Sequence, residues 1–475
     1  MAIKNVIYQI GRFDRNLHDR VNFQIDDKIY PAYLSSFALK EYFKEKGEEA
    51  KVILLYPVSL IINDKAVSEN PQLPEETKEK FLRVIKDISE RENFFKKPEE
   101  YYKLHPYSEI ADGFTVIHSI GEFSRIRFEA DFNVIKLKIF LDMVERFLEE
   151  PFNRLYLDIS SGYNIYVSAL IEAGRLFLIF YKLHHFLTKE NPENSLRVYL
   201  SFSDPIIPFN PSQRYEIHLN YELDVKAFFS WPHPVEQPKN LENPYPDLIN
   251  KLANNDRQKK KYLRSTLLPF LINGYLFYSA IRYNTPLVLY TLEYDSENDV
   301  IGAIRQLIND LKPKLEENYQ KTPELPVNYF ERVFLMLSFY LGLIRVLKAY
   351  EIEKKEEVSY SELNRKFRDH SNNIYKPFDL HLNRDYLAHE MSNNFEKKEM
   401  REKFSEEYKL LTEIIGNEKD DKDINRRNFI AHCGFERNCV EVKKVDEEIW
   451  IRYRKDENIL KEIKKILLEL EYKGS

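Results

Sequence analysis

The stretch RLYLDISSGYN, residues 154–164, decides the fold of the N-terminal half of the chain. Arg154–Asp158 is an apolar, strand-like run, and Ile165–Leu187 is a long apolar run with helical periodicity. Two serines and a glycine make the turn between them. A strand that passes through small polar residues directly into a helix is the first half of a βαβ unit.

The rest of the N-terminal half repeats this alternation of strands and helices. Further strands are predicted at Val6–Ile10, Val52–Tyr56, Phe114–His118 and Val198–Phe202, and helices at Ser35–Lys46 and Phe132–Leu148. Tyr215–Leu219 and Glu222–Phe228 either extend the sheet or form a hairpin that leaves it. The pattern predicts a Rossmann-like α/β domain, a largely parallel sheet with flanking helices.

A proline-rich stretch divides the chain. Prolines from Pro232 to Pro246 interrupt both helix and sheet, so we predict an α/β domain at residues 1–230, a linker at 231–248 and an all-α domain at 249–475. Helices are predicted at Tyr262–Tyr278, Ile301–Lys312, Tyr329–Tyr350, Tyr360–Phe367, Lys403–Ile415 and Ile459–Leu470. Cys439–Val445 and Glu448–Arg454 alternate as a small β-hairpin inserted in the helical domain.

Composition excludes several classes of protein. The 71 basic and 77 acidic residues nearly balance, which argues against a polycationic nucleic-acid binder. Cys433 and Cys439 lack the paired spacings of a zinc site, so we expect two buried thiols, with a local disulfide as the alternative. The apolar runs Val167–Leu187 and Phe334–Leu347 are each interrupted by charge and are expected to be core helices. We therefore expect a soluble, cytoplasmic protein with no membrane partner.

The loops that follow the predicted strands favour an anionic ligand. In open α/β sheets, ligands bind at the carboxyl ends of the strands, where free N–H groups at helix starts attract anions. The candidate residues are Gly11, Arg12, Ser59, Ser160, Ser161, Gly162 and Asn164. The alternative is that the serines only cap the helix. The chain has no G-x-G-x-x-G or Walker motif, so a nicotinamide cofactor or a nucleoside-triphosphatase activity is not expected.

The candidate chemistry lies in Arg427-Asn428-Phe429-Ile430-Ala431-His432. Arginine binds phosphate through a planar fork of donors, and histidine exchanges protons near neutral pH. Asn428 is four residues before His432, a spacing that lets its amide orient the ring. Gly434 is a natural helix C-cap, so His432 is expected in the last helical turn. These residues suit cleavage of a phosphodiester without a metal, and their angular separation on a helix suggests that one copy supplies part of a site.

A second copy of the pattern lies upstream. Arg384 and His389 have the same spacing, and Asp385 is placed four residues before His389, as in an ion pair. A structural surface helix is the equally open alternative, so these two are secondary catalytic candidates. The basic run Arg257–Lys261 with Arg264 either follows an RNA backbone or is simply a solvated helix face.

Two of these motifs together resemble a known family. The run from Arg427 to Phe435 resembles the R-x4–6-H signature of HEPN ribonucleases, and the turn 158–164 resembles the corresponding motif of CARF domains. In this order and at this length, the chain resembles the CARF–HEPN accessory ribonucleases of type III CRISPR systems. The hairpin after the HEPN motif also resembles members of that family.

The resemblance implies a homodimer or higher homo-oligomer in which a cyclic oligoadenylate, expected to be cyclic tetra-adenylate, activates metal-independent cleavage of single-stranded RNA for antiviral defence. It implies that Arg427 holds the scissile phosphate, that His432 assists proton transfer and that Asn428 orders the site. It also implies that Ser160, Ser161, Gly162 and Asn164 line the activator pocket. No cofactor or metal is expected. The alternatives are a nucleotide-sensing regulator that binds nucleic acid or protein without cleavage, and a sensor that also degrades its cyclic activator.

Overall fold

The computed structural model describes residues 4–13, 19–70, 73–187, 195–206, 213–416 and 424–470. These residues form two compact units. The first unit comprises residues up to Tyr181 together with Asn191–Lys226 and Arg305–Val327, and the second comprises Lys182–Glu190, Ala227–Ile304 and Asn328–Ser475. The stretch 231–248, predicted as a linker, therefore lies in the second unit, and its Trp231 and Tyr245 side chains are buried.

The first unit is built on one eight-stranded sheet. Its elements are β1 (Lys4–Ile10), β2 (Val21–Ile25), β3 (Lys28–Ala32), β4 (Glu49–Pro57), β5 (Gly113–Ile117), β8 (Arg154–Asp158), β9 (Arg197–Ser203) and β10 (Arg214–Leu223), with β6 (Ile120–Phe123) and β7 (Ile126–Glu129) as a separate hairpin. The strand order is β3-β2-β10-β9-β8-β1-β4-β5. The five strands from β9 to β5 run parallel, whereas β10 pairs antiparallel with β9. The predicted Rossmann-like sheet is confirmed.

The strand order places a switch point between β1 and β8. After β1 and the strands β2 and β3 at one end of the sheet, the chain forms β4 and β5 on one side of β1, then crosses to the other side of β1 to form β8 and β9. Six of the seven β1 residues are buried, as expected for a central parallel strand covered on both faces. Loops diverge at such a point and leave a crevice outside the carboxyl ends of the strands. The loops at residues 11–13 and 159–163 therefore border the crevice.

Helices flank this sheet. They are α1 (Ser35–Glu45), α2 (Asp64–Ser68), α3 (Glu75–Lys86), α4 (Ile88–Lys96), α5 (Glu99–Tyr102), α6 (Phe132–Glu149) and α7 (Asn164–His184). Among the described residues, α7 is the one helix that is long and apolar enough to cross a membrane, and half of its most apolar window is buried. A Cβ atom at Gly174 of α7 would lie 2.4 Å from a methyl group of Leu157, so the helix packs closely on β8. Such packing is typical of a core helix.

The second unit is mainly helical. Its helices are α8 (Pro246–Ala253), α9 (Arg257–Thr266), α10 (Leu268–Arg282), α11 (Pro286–Thr291), the first part of α12 (Glu297–Leu315), α13 (Val327–Ala349), α14 (Tyr360–Leu363), α15 (His381–Met391), α16 (Lys398–Arg401), α17 (Leu411–Ile415), α18 (Arg426–Ala431) and α19 (Glu457–Glu469). A four-stranded antiparallel sheet has the order β11 (Val358–Ser359), β14 (Glu448–Tyr453), β13 (Val440–Val445) and β12 (Lys409–Leu410). The predicted hairpin corresponds to β13 and β14, the two central strands of this sheet.

Three predicted elements differ in the structure. The helix predicted at Tyr262–Tyr278 is broken at Leu267, because Pro269 in the first turn of α10 has no N–H with which to continue α9. The helix predicted at Lys403–Ile415 is wrong in its first part, where Lys409 and Leu410 pair with β13 instead. The piece predicted at Tyr215–Leu219 and the first two residues of the piece predicted at Glu222–Phe228 form one strand, β10, with an irregularity between His218 and Tyr221, and residues 224–228 lie outside it.

Candidate functional site

The RNase-like motif lies on the short helix α18. The Asn425 side chain caps the helix by accepting a hydrogen bond from Asn428 N at 3.0 Å, and Phe429 is the one buried residue. Arg427 and Asn428 are exposed. His432 is the C-cap, and Gly434 follows with a φ of 77° and donates to Phe429 O at 2.7 Å. The C-cap predicted at Gly434 is therefore His432 instead, and Cys433, with a φ of 55°, adopts the left-handed conformation before the glycine. His432 comes directly after the last helical residue.

Glu390 of α15 is the side-chain partner of His432. Nδ1 of His432 lies 3.0 Å from Oε2 of Glu390. An ionised carboxylate only accepts hydrogen bonds, so Nδ1 carries the proton and Nε2 is left for exchange with a substrate. The spacing of Asn428 predicts that its amide contacts and orients this ring, but in the structure the Glu390 carboxylate makes that contact instead. Glu390 lies 42 residues away in sequence, and no local pattern indicates it.

The second R-x4-H motif lies on α15 and forms different contacts. Arg384 binds the Asp385 carboxylate at 2.6 Å and His370 Nδ1 at 2.6 Å, so Asp385 does not form the ion pair with His389 that its spacing suggests. The ring of His389 contacts the Asn393 amide at 3.0 Å. The structure therefore brings the two motifs together through Glu390, the neighbour of His389, rather than through Arg384 or His389.

Buried contacts hold the end of α18 in place. Asn284 Nδ2 lies 3.2 Å from the Cys433 sulfur, and the Tyr453 hydroxyl donates to Gly434 O at 3.1 Å. Burial, with the charge of Glu390, raises the pKa of Cys433 to about 12, so the thiol stays protonated. Cys433 and Cys439 are both free and buried, as the sequence predicts. This packing fixes the backbone from which His432 projects.

The basic run predicted to follow RNA lies on α9. Leu263 is the one buried side chain of this helix. Within the described part of the chain, Arg257, Lys260, Lys261 and Arg264 form no ion pair with a carboxylate. Contact with RNA at this surface stays a prediction.

At the crevice of the first unit, the predicted serines form internal hydrogen bonds. Ser161 Oγ donates to Ile10 O at 3.0 Å, which ties the turn after β8 to the end of β1. Ser160 Oγ accepts from Ser203 N at 2.8 Å, and Ser59 N donates to Ser119 Oγ at 2.9 Å. These contacts give the Ser160 and Ser161 hydroxyls a structural role between the loops, different from the predicted alternative of capping α7.

The glycines of the crevice allow close backbone approach. A Cβ atom at Gly11 would lie 2.3 Å from the ring of Tyr56, and one at Gly162 would lie 2.7 Å from Ile10 Cβ. Gly162 also has a φ of 108°, which side-chain-bearing residues rarely adopt. Both positions therefore require glycine for the geometry of the loops.

Three side chains at the crevice face solvent more openly. Arg12 is half-buried and its carbonyl accepts from His105 Nε2 at 3.0 Å, while Asn164 is exposed at the start of α7. Tyr163, which the sequence analysis did not select, is 60% exposed beside the rings of Phe123 and Tyr166. The feature of the sequence that could have indicated Tyr163 is its position as an aromatic residue inside the turn 158–164. An exposed ring directly before the start of a helix suits a ligand that combines bases with phosphates.

Comparison with family models matches both regions. Residues 5–205 match "CRISPR system endoribonuclease Csx1, CARF domain", and residues 380–455 match "CRISPR system endoribonuclease Csx1, HEPN domain". The two matches together cover more than half of the chain. No curated protein sequence matches the chain.

The chain belongs to the CARF–HEPN family of CRISPR ribonucleases. The CARF match contains every predicted activator residue, and the HEPN match contains both R-x4-H motifs and Glu390. CARF domains bind cyclic oligoadenylate and HEPN nucleases act on RNA, so the two domains supply a sensor and a ribonuclease.

The buried Asp158 of the CARF domain gives a pH-dependent prediction. Its Oδ1 accepts from Ser35 Oγ at 3.0 Å and from Ser160 N at 2.9 Å, yet burial raises the pKa to about 6. Because the folded pKa exceeds the unfolded value, the stability from this group is fully present below pH 4. It is lost as the pH rises through 6, and the free energy of unfolding then falls by on the order of 3 kcal/mol.

Asp158→Asn is therefore expected to raise the melting temperature at pH 8 and to have a smaller effect at pH 4.5. Thermal melts of both proteins at the two pH values test this. A variant that melts below the wild type at pH 8 would show that the charged form is stabilised in the fold.

Proposed function

We propose that this protein is an endoribonuclease that cuts single-stranded RNA without a metal, in a site formed by two copies of the chain, when a cyclic oligoadenylate binds its CARF domain. The observation that carries the proposal is the Glu390–His432 pair, together with the exposed Arg427 of the same motif, inside the HEPN match. It supports a histidine of defined tautomer at the end of the short helix that carries a permanent cation.

This arrangement suits transfer of the phosphate to the neighbouring 2′-hydroxyl. RNA supplies its own nucleophile, so the protein needs to hold the phosphate and move protons. Arg427 binds the phosphate and offsets the charge that develops on it. The 2′-oxygen bonds to phosphorus while the bond to the 5′-oxygen breaks, and His432 Nε2 takes or returns a proton. The products are a 2′,3′-cyclic phosphate, or the 3′-phosphate formed from it, and a 5′-hydroxyl.

An exposed apolar pair on α15 supports the expectation of a partner copy. Leu382 is 68% exposed and Tyr386 is 65% exposed, and they lie one helical turn apart on the helix that carries Glu390. Exposed apolar side chains that adjoin a candidate site favour burial by another chain. A second copy docked there brings its own Arg427 and His432 to the same RNA.

The test is cleavage of end-labelled single-stranded RNA by the purified protein, with and without cyclic tetra-adenylate or cyclic hexa-adenylate, in buffer containing a chelator. We expect the activator to stimulate cleavage and the new 3′ ends to carry cyclic phosphate. RNA that stays intact with every ring would favour a regulator that binds without cutting. Loss of activity in the chelator alone would contradict only the metal-free mechanism. Chromatography of the activator after incubation shows whether it is also degraded.

A further inference from the structure

We name residues Arg305–Val327 the tether segment. It belongs to the first unit, whereas the chain before it, up to Ile304, and after it, from Asn328, belongs to the second. The segment comprises the last part of α12 and the connection to α13. It lies outside both family matches, which cover 5–205 and 380–455. The chain thus leaves the helical unit, packs on the CARF sheet and its helices, and returns.

Two ion pairs attach the tether segment to α6. Lys312 pairs with Glu145, and Glu316 pairs with Lys138, whose side chain is only 6% exposed. Further along the same helix, the Arg305 guanidinium donates to Leu148 O at 3.0 Å. Lys138 is buried, so its charge would be left without compensation if Glu316 were removed, whereas the Lys312–Glu145 pair is part-exposed and contributes less to stability. The two pairs therefore define one position of the segment on α6.

Tyr319 attaches the tether segment to the end of β5. Its ring stacks on His118 with ring centroids 4.7 Å apart, and its hydroxyl donates to Glu99 at 2.8 Å. Its backbone N donates to Phe95 O at 3.1 Å. Burial, with the charge of Lys138, lowers the pKa of His118 to about 3, so a neutral imidazole meets the tyrosine ring. Tyr319 is itself fully buried.

The β6–β7 hairpin holds the next residues of the segment. Glu129 N donates to Gln320 O at 3.1 Å, and Gln320 Nε2 donates to Arg127 O at 3.2 Å. Thr322 Oγ1 donates to Glu129 O. The segment is therefore joined to β7 by backbone as well as by side-chain hydrogen bonds.

The same short stretch of chain reaches the crevice. Ser119 Oγ accepts a hydrogen bond at 2.9 Å from the backbone N of Ser59, a predicted activator residue. The preceding residue, His118, stacks on Tyr319, so the contacts with Ser59 and with Tyr319 are made by consecutive residues. Phe123 of the hairpin lies 6.0 Å from the exposed ring of Tyr163. A ligand that moves the loops at Ser59 or Tyr163 therefore acts on residues that also hold the tether segment.

We propose that the tether segment couples activator binding in the CARF domain to the helical unit: a cyclic oligoadenylate at the crevice changes the position of His118–Glu129, and the tether segment moves with it. The proposal rests on the proposed function. Coupling between two sites requires an element whose arrangement both sites influence. The tether segment meets that requirement because it is held by the CARF domain and is continuous with α12 and α13 at its ends.

A charge exchange within the segment tests the proposal. Lys312→Glu/Glu316→Lys keeps the net charge and the spacing of opposite charges, but it places like charges against Glu145 and Lys138. We expect cyclic tetra-adenylate to bind as tightly as to the wild type, and its stimulation of RNA cleavage to fall at least 10-fold. Adding Glu145→Lys/Lys138→Glu restores both pairs and is expected to restore stimulation to within about 3-fold. Lys40→Glu, which breaks the similarly exposed pair with Asp112, is the matched control.

Hydrogen exchange of residues 305–327 provides a readout that does not depend on cleavage. We expect exchange there to change when the wild type binds the activator, and to be faster in the exchanged-charge variant. If the activator stimulates the wild type and the variant equally, the coupling proposal is overturned and the proposed function stands. If no cyclic oligoadenylate stimulates the wild type, the proposed function fails and takes the coupling with it.

Discussion

His432→Ala is expected to lower the rate of activator-stimulated RNA cleavage by on the order of 10³-fold, because positioned proton transfer contributes about 10²- to 10⁴-fold to such reactions. Arg427→Ala is expected to cost about 10²- to 10³-fold through the lost stabilisation of the phosphate. Initial rates with saturating activator and labelled RNA measure both effects. Binding of cyclic tetra-adenylate should not change in either variant.

Each of these variants has a close control in the chain. His389→Ala removes the histidine of the second motif, whose ring contacts Asn393, and it is expected to retain cleavage within about 3-fold of the wild-type rate. Arg426→Ala removes an arginine from the same helix as Arg427, but one that is bound to Glu469 at 3.0 Å. We expect activity close to wild type there as well. A large loss in His389→Ala with activity retained in His432→Ala would move the catalytic role to the second motif.

Glu390→Gln is expected to reduce kcat by about 10-fold with little change in KM. Glutamine keeps an acceptor for His432 Nδ1 but loses the charge, and a charge-assisted hydrogen bond is roughly twice as strong as a neutral one. Glu390→Ala, which also frees the ring to rotate, should cost on the order of 100-fold. Steady-state kinetics with RNA measure the split between kcat and KM.

Asp385→Asn is the matched control for Glu390→Gln, because it neutralises a carboxylate on the same helix that binds Arg384 instead of a histidine. It is expected to cleave RNA at nearly the wild-type rate. An equal loss in Asp385→Asn and Glu390→Gln would indicate a general effect of charge on α15. A rise in KM with unchanged kcat in Glu390→Gln would instead assign Glu390 to RNA binding.

Local sequence was sufficient for the five parallel strands of the CARF sheet and for α1, α6 and α7, but it did not indicate β2, β3, the β6–β7 hairpin or α2 to α5. The strand Arg154–Asp158 was predicted to the residue, since a buried parallel strand is a short apolar run that small polar residues end. It was less reliable where tertiary contacts compete with local preference. Lys409 and Leu410 sit in a charged, helix-like run, yet their backbone groups pair with β13. Pairing with a neighbouring strand outweighed helix propensity, which is worth under 1 kcal/mol per residue.

The sequence by itself determined the two domains' classes and was sufficient to propose Arg427 and His432 as the reactive groups, because both inferences depend on patterns within a few residues of one another. Only the tertiary structure decided which group orients His432, because Glu390 reaches it from a separate helix. Only the tertiary structure placed Arg305–Val327 with the CARF sheet, since the ion pairs to Lys138 and Glu145 join residues whose sequence separation exceeds 160. Periodicity reports which face of an element is buried, whereas long-range pairing depends on how the elements pack.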